Sequence, residues 1–288
     1  MKVIDGKTKL TGLFGWPVGH TFSPLLHNSA FERLGLNYVY LPFAVQPENL
    51  AEAVESIRAL NICGVNVTIP HKEKIMPYLD KVDEAARLIG AVNTVVNDNG
   101  RLIGYNTDGP GFAASLKDEL SYDLAGKRML LIGAGGAAKA VAVQSALSGL
   151  KELVIVNRNT DKARLLADSA AKTGCSVRVL DFAALNQDLM HKIDLVVDTS
   201  PVGMYPNVEV EPVIAPELLH SDLLVCDLVY NPEKTVLLKA AEKAGAVTWS
   251  GLGMLVQQGA LAFQYWTGMA APVEIMTKAL KDYLYEKR

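Results

Sequence analysis

A strand, a glycine turn and a helix in immediate succession constrain this chain more than any other feature. Lys127 to Ile132 reads as a strand, Gly133-Ala134-Gly135-Gly136-Ala137-Ala138 follows, and Gly135 to Leu150 has helical character. A second strand, Leu153 to Asn157, ends about 24 residues after the first glycine, which completes a βαβ unit. In such a unit a missing side chain lets backbone approach a pyrophosphate, and the helix N-terminus faces the charge. Gly133, Ala134, Gly135, Gly136 and Ala137 are therefore the expected phosphate cradle. The second strand closes with Val156-Asn157-Arg158, where an NAD site usually carries an acid for the ribose 2′-hydroxyl. Arg158 and Lys162 instead suit a 2′-phosphate, so NADP is the expected cofactor, with Asn157 beside it. Asp161 falls in the first turn of the next helix, where it complements the dipole.

Strand-like and helix-like segments alternate along most of the 288 residues, which predicts an α/β protein with parallel sheets. Upstream of the glycine turn, strands are expected at Thr11–Gly15, Tyr38–Val45, Cys63–Thr68, Ala91–Val96 and Leu102–Tyr105. The last two form a hairpin across Asp98-Asn99-Gly100. Helices are expected at Pro24–Gly35, Pro47–Leu60, Lys72–Leu79 and Asp83–Ile89. Later strands fall at Val177–Leu180, Leu195–Asp198 and Leu223–Asp227, with a helix over Asp161–Lys172 and little but helix from Gly251 onward. The expected organisation is a substrate-binding, catalytic domain over 1–108 and a Rossmann-like nucleotide domain over 109–250. Helices over 251–288 return to pack on the first domain.

The net charge of −3, without basic runs, argues against a nucleic-acid surface. No signal peptide is visible in Met1 to Leu10, and no apolar run approaches the ~18 residues of a membrane helix. Cys63, Cys175 and Cys226 are an odd, widely spaced set in apolar surroundings, so reduced core thiols are expected. The histidines lack ligand spacing, so no metal is expected. A cytoplasmic protein is the default reading.

Three runs place polar groups at the ends of apolar strands: Val65-Asn66-Val67-Thr68-Ile69-Pro70-His71-Lys72, Ala91-Val92-Asn93-Thr94 and Gly104-Tyr105-Asn106-Thr107-Asp108. Groups held there suit a hydroxylated molecule, and beside a dinucleotide site they suggest hydride chemistry on an alcohol. Each also has a plain structural reading. Lys72 sits in a charged cluster and could be solvated; Asp108 before Gly109 and Ser23 before Pro24 could be helix N-caps. Asn93 and Thr94 could satisfy backbone at a strand bend. Gln258 places an amide on a largely apolar helix face with Met254, Leu261 and Tyr265, where it needs a partner.

Taken together these motifs resemble the shikimate dehydrogenase family from about Thr11 to Trp266. Gly15-Trp16-Pro17-Val18-Gly19-His20-Thr21-Phe22-Ser23-Pro24 with His27-Asn28 is similar to that family's opening signature. The runs through Lys72, Asn93 and Asp108, then Ser200-Pro201-Val202-Gly203-Met204, Tyr230-Asn231-Pro232 and Gly253-Met254-Leu255-Val256-Gln257-Gln258-Gly259, follow in family order. The resemblance implies reduction of 3-dehydroshikimate to shikimate by NADPH, toward aromatic amino acids. It implies Lys72 and Asp108 at the reacting oxygen and Thr21 and Ser23 on the substrate carboxylate. Asn66, Thr68, Asn93 and Gln258 are implied at ring hydroxyls, and Tyr230 over the carboxylate side. Thr199, Leu228, Gly251 and Met254 are implied around the nicotinamide.

The chain departs from the family pattern at Thr21 (usually serine), Asn159 (often threonine), Lys162 (often arginine) and Asp198 (commonly asparagine). An NAD-using quinate/shikimate dehydrogenase is the nearest alternative. A catalytically silent binding protein on the same scaffold is less favoured, since Lys72 and Asp108 are both present. A monomer or homodimer acting on a small molecule, away from nucleic acid and membrane, is the expected state.

Overall fold

The computed structural model describes residues 4–286, so the expected segments at 1–3 and 287–288 lie outside the described residues. The chain divides into two compact units. One runs to Gly111 and resumes at Val256; the other is Phe112–Leu255.

The first unit begins with β1 (Lys9–Gly15), α1 (Ser23–Arg33), β2 (Tyr38–Ala44), α2 (Leu50–Ala59) and β3 (Gly64–Val67). It continues through β4 (Lys81–Val82), α3 (Glu84–Ile89), β5 (Thr94–Asp98), β6 (Arg101–Tyr105) and the start of α4 (Asp108–Leu120). Its six-stranded sheet has the order β2-β1-β3-β5-β6-β4. The sheet is mixed rather than parallel: β1 pairs parallel to β2 and β3, whereas β5 runs antiparallel to both β3 and β6. The cause is the expected hairpin, whose turn places Asn99 and Gly100 at φ 52° and 92°, the backbone a two-residue connection demands.

The expected helix over Lys72–Leu79 is absent. That stretch is a run of turns with a single 3-10 turn at Met76–Tyr78, because Pro77 has no N–H to continue a ladder. Ser23 is the first residue of α1 and not its cap. The strand expected at Ala91 starts three residues later, at Thr94, and Asn93 just before it is still tied by backbone to Tyr105 and Val67.

The second unit holds β7 (Arg128–Ile132), α5 (Gly136–Leu147), β8 (Glu152–Val156), α6 (Thr160–Ala171), β9 (Ser176–Leu180), α7 (Gln187–Met190) and β10 (Leu195–Asp198). Then come β11 (Leu224–Asp227), α8 (Val236–Lys243), β12 (Val247–Ser250) and the start of α9 (Leu252–Thr267). Its sheet, β12-β11-β10-β7-β8-β9, is parallel throughout, the doubly wound order with its switch point between β7 and β10. Helices cover both faces, so β7 is apolar on each: Met129 and Leu131 enter one core, Leu130 and Ile132 the other. Three of these elements went unforeseen, α7, α8 and β12. Helix α8 is capped by Thr235, whose Oγ1 accepts the Leu238 N–H at 3.3 Å.

The C-terminal helices α9 and α10 (Val273–Lys281) complete the first unit. Phe263 stacks on Phe31 of α1 at 5.1 Å, and the Trp266 indole donates to the Val95 carbonyl at 3.0 Å. Gly111 lets α9 pass close to the start of α4: a Cβ there would stand 2.6 Å from the Gln258 nitrogen. Backbone cannot retreat as a flexible side chain does, so Gly111→Ala should lower stability by about 1–3 kcal/mol, seen as a lower urea midpoint.

Candidate active site

In the first unit, the three polar runs converge on one ion pair. Lys72 Nζ donates to Asp108 Oδ2 at 2.6 Å, with side-chain exposures of 25% and 12%. The other carboxylate oxygen accepts from Asn93 Nδ2 at 2.8 Å. Asn93 is itself fixed, since its Oδ1 accepts the Thr107 N–H at 2.8 Å and its backbone N–H reaches the Tyr105 carbonyl. The lysine is held by its flanks. Buried His71 donates through Nε2 to the Val45 carbonyl at 2.7 Å, and the Lys72 carbonyl accepts the Val92 N–H at 2.8 Å. The simple readings of Lys72 as a solvated side chain and Asp108 as a cap therefore give way to a constructed amine–carboxylate pair.

Asn66 is buried between strands. Its Oδ1 accepts from the Tyr40 hydroxyl at 2.8 Å, and its Nδ2 donates to Thr94 Oγ1 at 3.1 Å. Thr21 and Ser23 lie together where α1 begins: Thr21 Oγ1 accepts the Ser23 N–H and donates to Ser23 Oγ, both at 3.2 Å. Two hydroxyls beside a helix N-terminus with no acid in its first turn suit an anion. Thr68 follows β3 and is half-buried. Gln258 is half-buried on α9, with its backbone against Gly111, one turn along from Asp108. Sequence reasoning missed Tyr40 and Thr107. Thr107 stood inside a flagged run; Tyr40, in an ordinary strand, gave no signal.

In the second unit, the glycine turn sits at the switch point. Gly133 has φ 106°, a conformation glycine alone adopts freely, and its Cα packs against the Thr199 hydroxyl. That hydroxyl donates to the Ile132 carbonyl at 2.7 Å, tying the ends of β7 and β10 together. Gly133, Ala134, Gly135, Asn157, Arg158 and Thr199 all line one cavity of 420 Å³. Phe182 and Val213 supply apolar walls that no local motif announced. Gly136 and Ala137 open α5, aiming its N-terminus as a pyrophosphate requires. Lys162 is exposed on α6 and does not line the cavity.

Leu228, Gly251 and Met254 also lie outside the cavity lining. Gly251 packs directly on the Leu228 carbonyl, and Met254 is buried on α9. Tyr230 belongs to this unit too, and burial pushes its phenol up.

Three family profiles match successive stretches of the chain. They describe a shikimate dehydrogenase substrate binding domain (13–95), a shikimate / quinate 5-dehydrogenase (115–227) and a shikimate 5'-dehydrogenase C-terminal domain (251–281). The shikimate dehydrogenase (NADP(+)) of Desulforamulus reducens is 52% identical over 279 residues, 96% of each chain. The chain belongs to the shikimate dehydrogenase family. Among solved structures, a shikimate dehydrogenase in complex with NADP+ is 46% identical, with TM-score 0.92 over 98% of both chains. The shikimate 5-dehydrogenase of Listeria monocytogenes, in complex with shikimate and NAD, is 42% identical, with TM-score 0.93 over 97% of this chain and 99% of that one.

Two departures from the shikimate dehydrogenase pattern now have a physical account. Asn159 caps α6, its Oδ1 accepting the Lys162 N–H at 3.0 Å, so it does what a threonine would do there. Asp198 ends β10 in register with Asp227 of β11, both buried. Asp198 Oδ1 accepts the Ser200 N–H at 2.8 Å, while its Oδ2 has no partner. Asp227 accepts from Val229 N–H at 2.9 Å and Thr235 Oγ1 at 2.6 Å. Burial pushes the Asp198 carboxyl up from 3.8 to about 6. Burial, then the Asp198 charge, pushes Asp227 up from 3.8 to about 7.

The folded protein thus holds these protons more tightly than the unfolded chain. Their stabilising contribution is complete below pH 3.8 and is lost as pH rises through about 6 and 7. Asp198→Asn keeps the acceptor and removes one of the two charges. Its calorimetric midpoint should exceed the parent's at about pH 8 and by much less at about pH 4. Equal shifts at both would contradict the shared burial of charge.

Proposed function

We propose that this chain catalyses the reversible, NADPH-dependent reduction of 3-dehydroshikimate to shikimate, as a cytoplasmic enzyme of aromatic amino-acid biosynthesis. The observation that carries this reading is the Lys72–Asp108 pair, built from three separate stretches of sequence and fixed by Asn93. The first unit would bind substrate and the second would bind the cofactor, with Gly133 to Ala137 at the pyrophosphate, Arg158 and Lys162 at the 2′-phosphate, and Asn157 beside them. Thr199, Leu228, Gly251 and Met254 would border the nicotinamide. Bound NADPH supplies the hydride that reaches the substrate's carbonyl carbon.

Lys72 donates a proton to the carbonyl oxygen as negative charge grows there, and its ammonium stabilises that charge beforehand. In the oxidative direction the amine takes the hydroxyl proton. Asp108 accepts from the lysine and from the same hydroxyl, which fixes their mutual geometry. Thr21 and Ser23 hold the carboxylate, and Asn66, Thr68, Asn93 and Gln258 address ring hydroxyls. Tyr230 covers the carboxylate side.

Steady-state oxidation of shikimate and quinate, each with NADP and with NAD, tests the assignment. Turnover should be confined to shikimate with NADP, and Lys72→Ala should lower kcat on the order of 10²–10⁴-fold while keeping the parent's circular dichroism. Comparable quinate turnover with NAD would move the assignment to the quinate/shikimate enzyme. Arg158→Ala should raise the KM for NADP about tenfold and leave that for shikimate within about twofold, since one charge-assisted contact to a phosphate is worth ~1.5–3 kcal/mol.

A further inference from the structure

Hydrogen bonds run without a break from Tyr40 to Lys72 in the first unit, and two residues with no assigned role, Tyr40 and Thr94, carry the joints. Tyr40 donates to Asn66 Oδ1 at 2.8 Å, and Asn66 Nδ2 donates to Thr94 Oγ1 at 3.1 Å. Thr94 Oγ1 donates to Asn93 Oδ1 at 3.0 Å, Asn93 Nδ2 donates to Asp108 Oδ1 at 2.8 Å, and Lys72 closes the series on Oδ2 at 2.6 Å.

The polarity of this series is set by chemistry. Asp108 accepts only, so Asn93 must present its NH₂ and turn its carbonyl oxygen to Thr94. The Thr94 hydroxyl has one proton, given to Asn93, so it must receive from Asn66, whose carbonyl oxygen then requires a donor. Tyr40 is that donor. It is wholly buried, and burial pushes its phenol up, so the proton stays on oxygen. His27 stacks on the ring at 4.4 Å and 9°, and burial pushes that imidazole down to about 3, which keeps it uncharged.

We propose that Tyr40 and Thr94 are positioning residues that orient the Asn66 and Asn93 amides behind the amine–carboxylate pair. The proposal rests on the functional reading above for what those amides and that pair bind. Neither residue touches the ion pair: Tyr40 fixes the rotation of the Asn66 amide, and Thr94, which receives from Asn66, joins the Thr107 N–H in holding the Asn93 oxygen. Substrate thereby finds Asn66, Asn93 and Asp108 already oriented, which is preorganisation rather than added contact.

The test is a mutant cycle on kcat/KM for shikimate oxidation. Tyr40→Phe and Thr94→Val are joined only through Asn66, and their combined loss should fall short of the product of the single losses by about fivefold or more. Tyr40→Phe alone should lower kcat about tenfold, leave the KM for NADP within about twofold, and leave folding intact. Thr94→Ser, which keeps the hydroxyl, should recover most of the activity lost in Thr94→Val. Losses that simply multiply would overturn the proposal.

A second readout does not depend on turnover. Proton exchange of the Asn93 side-chain amide, remote from Tyr40 in the series, should be slow in the parent and markedly faster in Tyr40→Phe. Unchanged exchange would sink the coupling even if the enzyme oxidises shikimate. Faster exchange in a protein that does not turn over shikimate would instead keep the coupling and remove the substrate.

Discussion

A half-buried ammonium facing a carboxylate is the constraint around which the first unit is arranged. Two such charges tolerate partial burial only when each finds partners, and here every partner comes from a different stretch of chain. Asn93 takes one carboxylate oxygen and Lys72 the other, while the lysine's own backbone is pinned to Val92. The mixed sheet makes this possible. Its antiparallel strand β5 begins beside the end of β3, so Asn66 pairs with Thr94 across the ladder and Asn93 stands just outside it. A parallel arrangement would have put the start of that strand beside the beginning of β3, away from Asn66.

The second unit solves a different problem. Its parallel sheet, buried on both faces, leaves the carboxyl ends of β7 and β10 as the place where backbone is accessible. Gly133 and Thr199 close that place into a cradle. The same strand ends also carry the molecule's electrostatic tension. Asp198 and Asp227 end adjacent strands out of water, each held to the loop that follows it by a backbone N–H. The acid replaces the amide common in the family and brings a pH dependence that an amide would lack.

Much of this was legible in the sequence, and the reasons are specific. The glycine turn was readable because a left-handed φ next to a helix start demands glycine, and Arg158 because the acid usual at that strand end is missing. Lys72 and Asp108 were chosen by family resemblance. Individually each had a sound alternative, and the choice depended on tertiary proximity that spacing does not encode. The helix expected over Lys72–Leu79 failed where Pro77 has no N–H to continue it. The expectation of parallel sheets held only in the second unit, because the hairpin across Asp98-Asn99-Gly100, itself expected, reverses β5 in the first. Tyr40 was invisible for a simpler reason: its role lies in a hydroxyl aimed across the sheet at Asn66.

The account stands or falls on where the reacting oxygen sits. A crystal structure of the protein with shikimate and NADP tests this most directly. The oxidised ring hydroxyl should lie within hydrogen-bond reach of both Lys72 Nζ and Asp108 Oδ2, with the carboxylate on Thr21 and Ser23. A ring bound in the reverse sense, or a hydroxyl touching neither member of the pair, would contradict it.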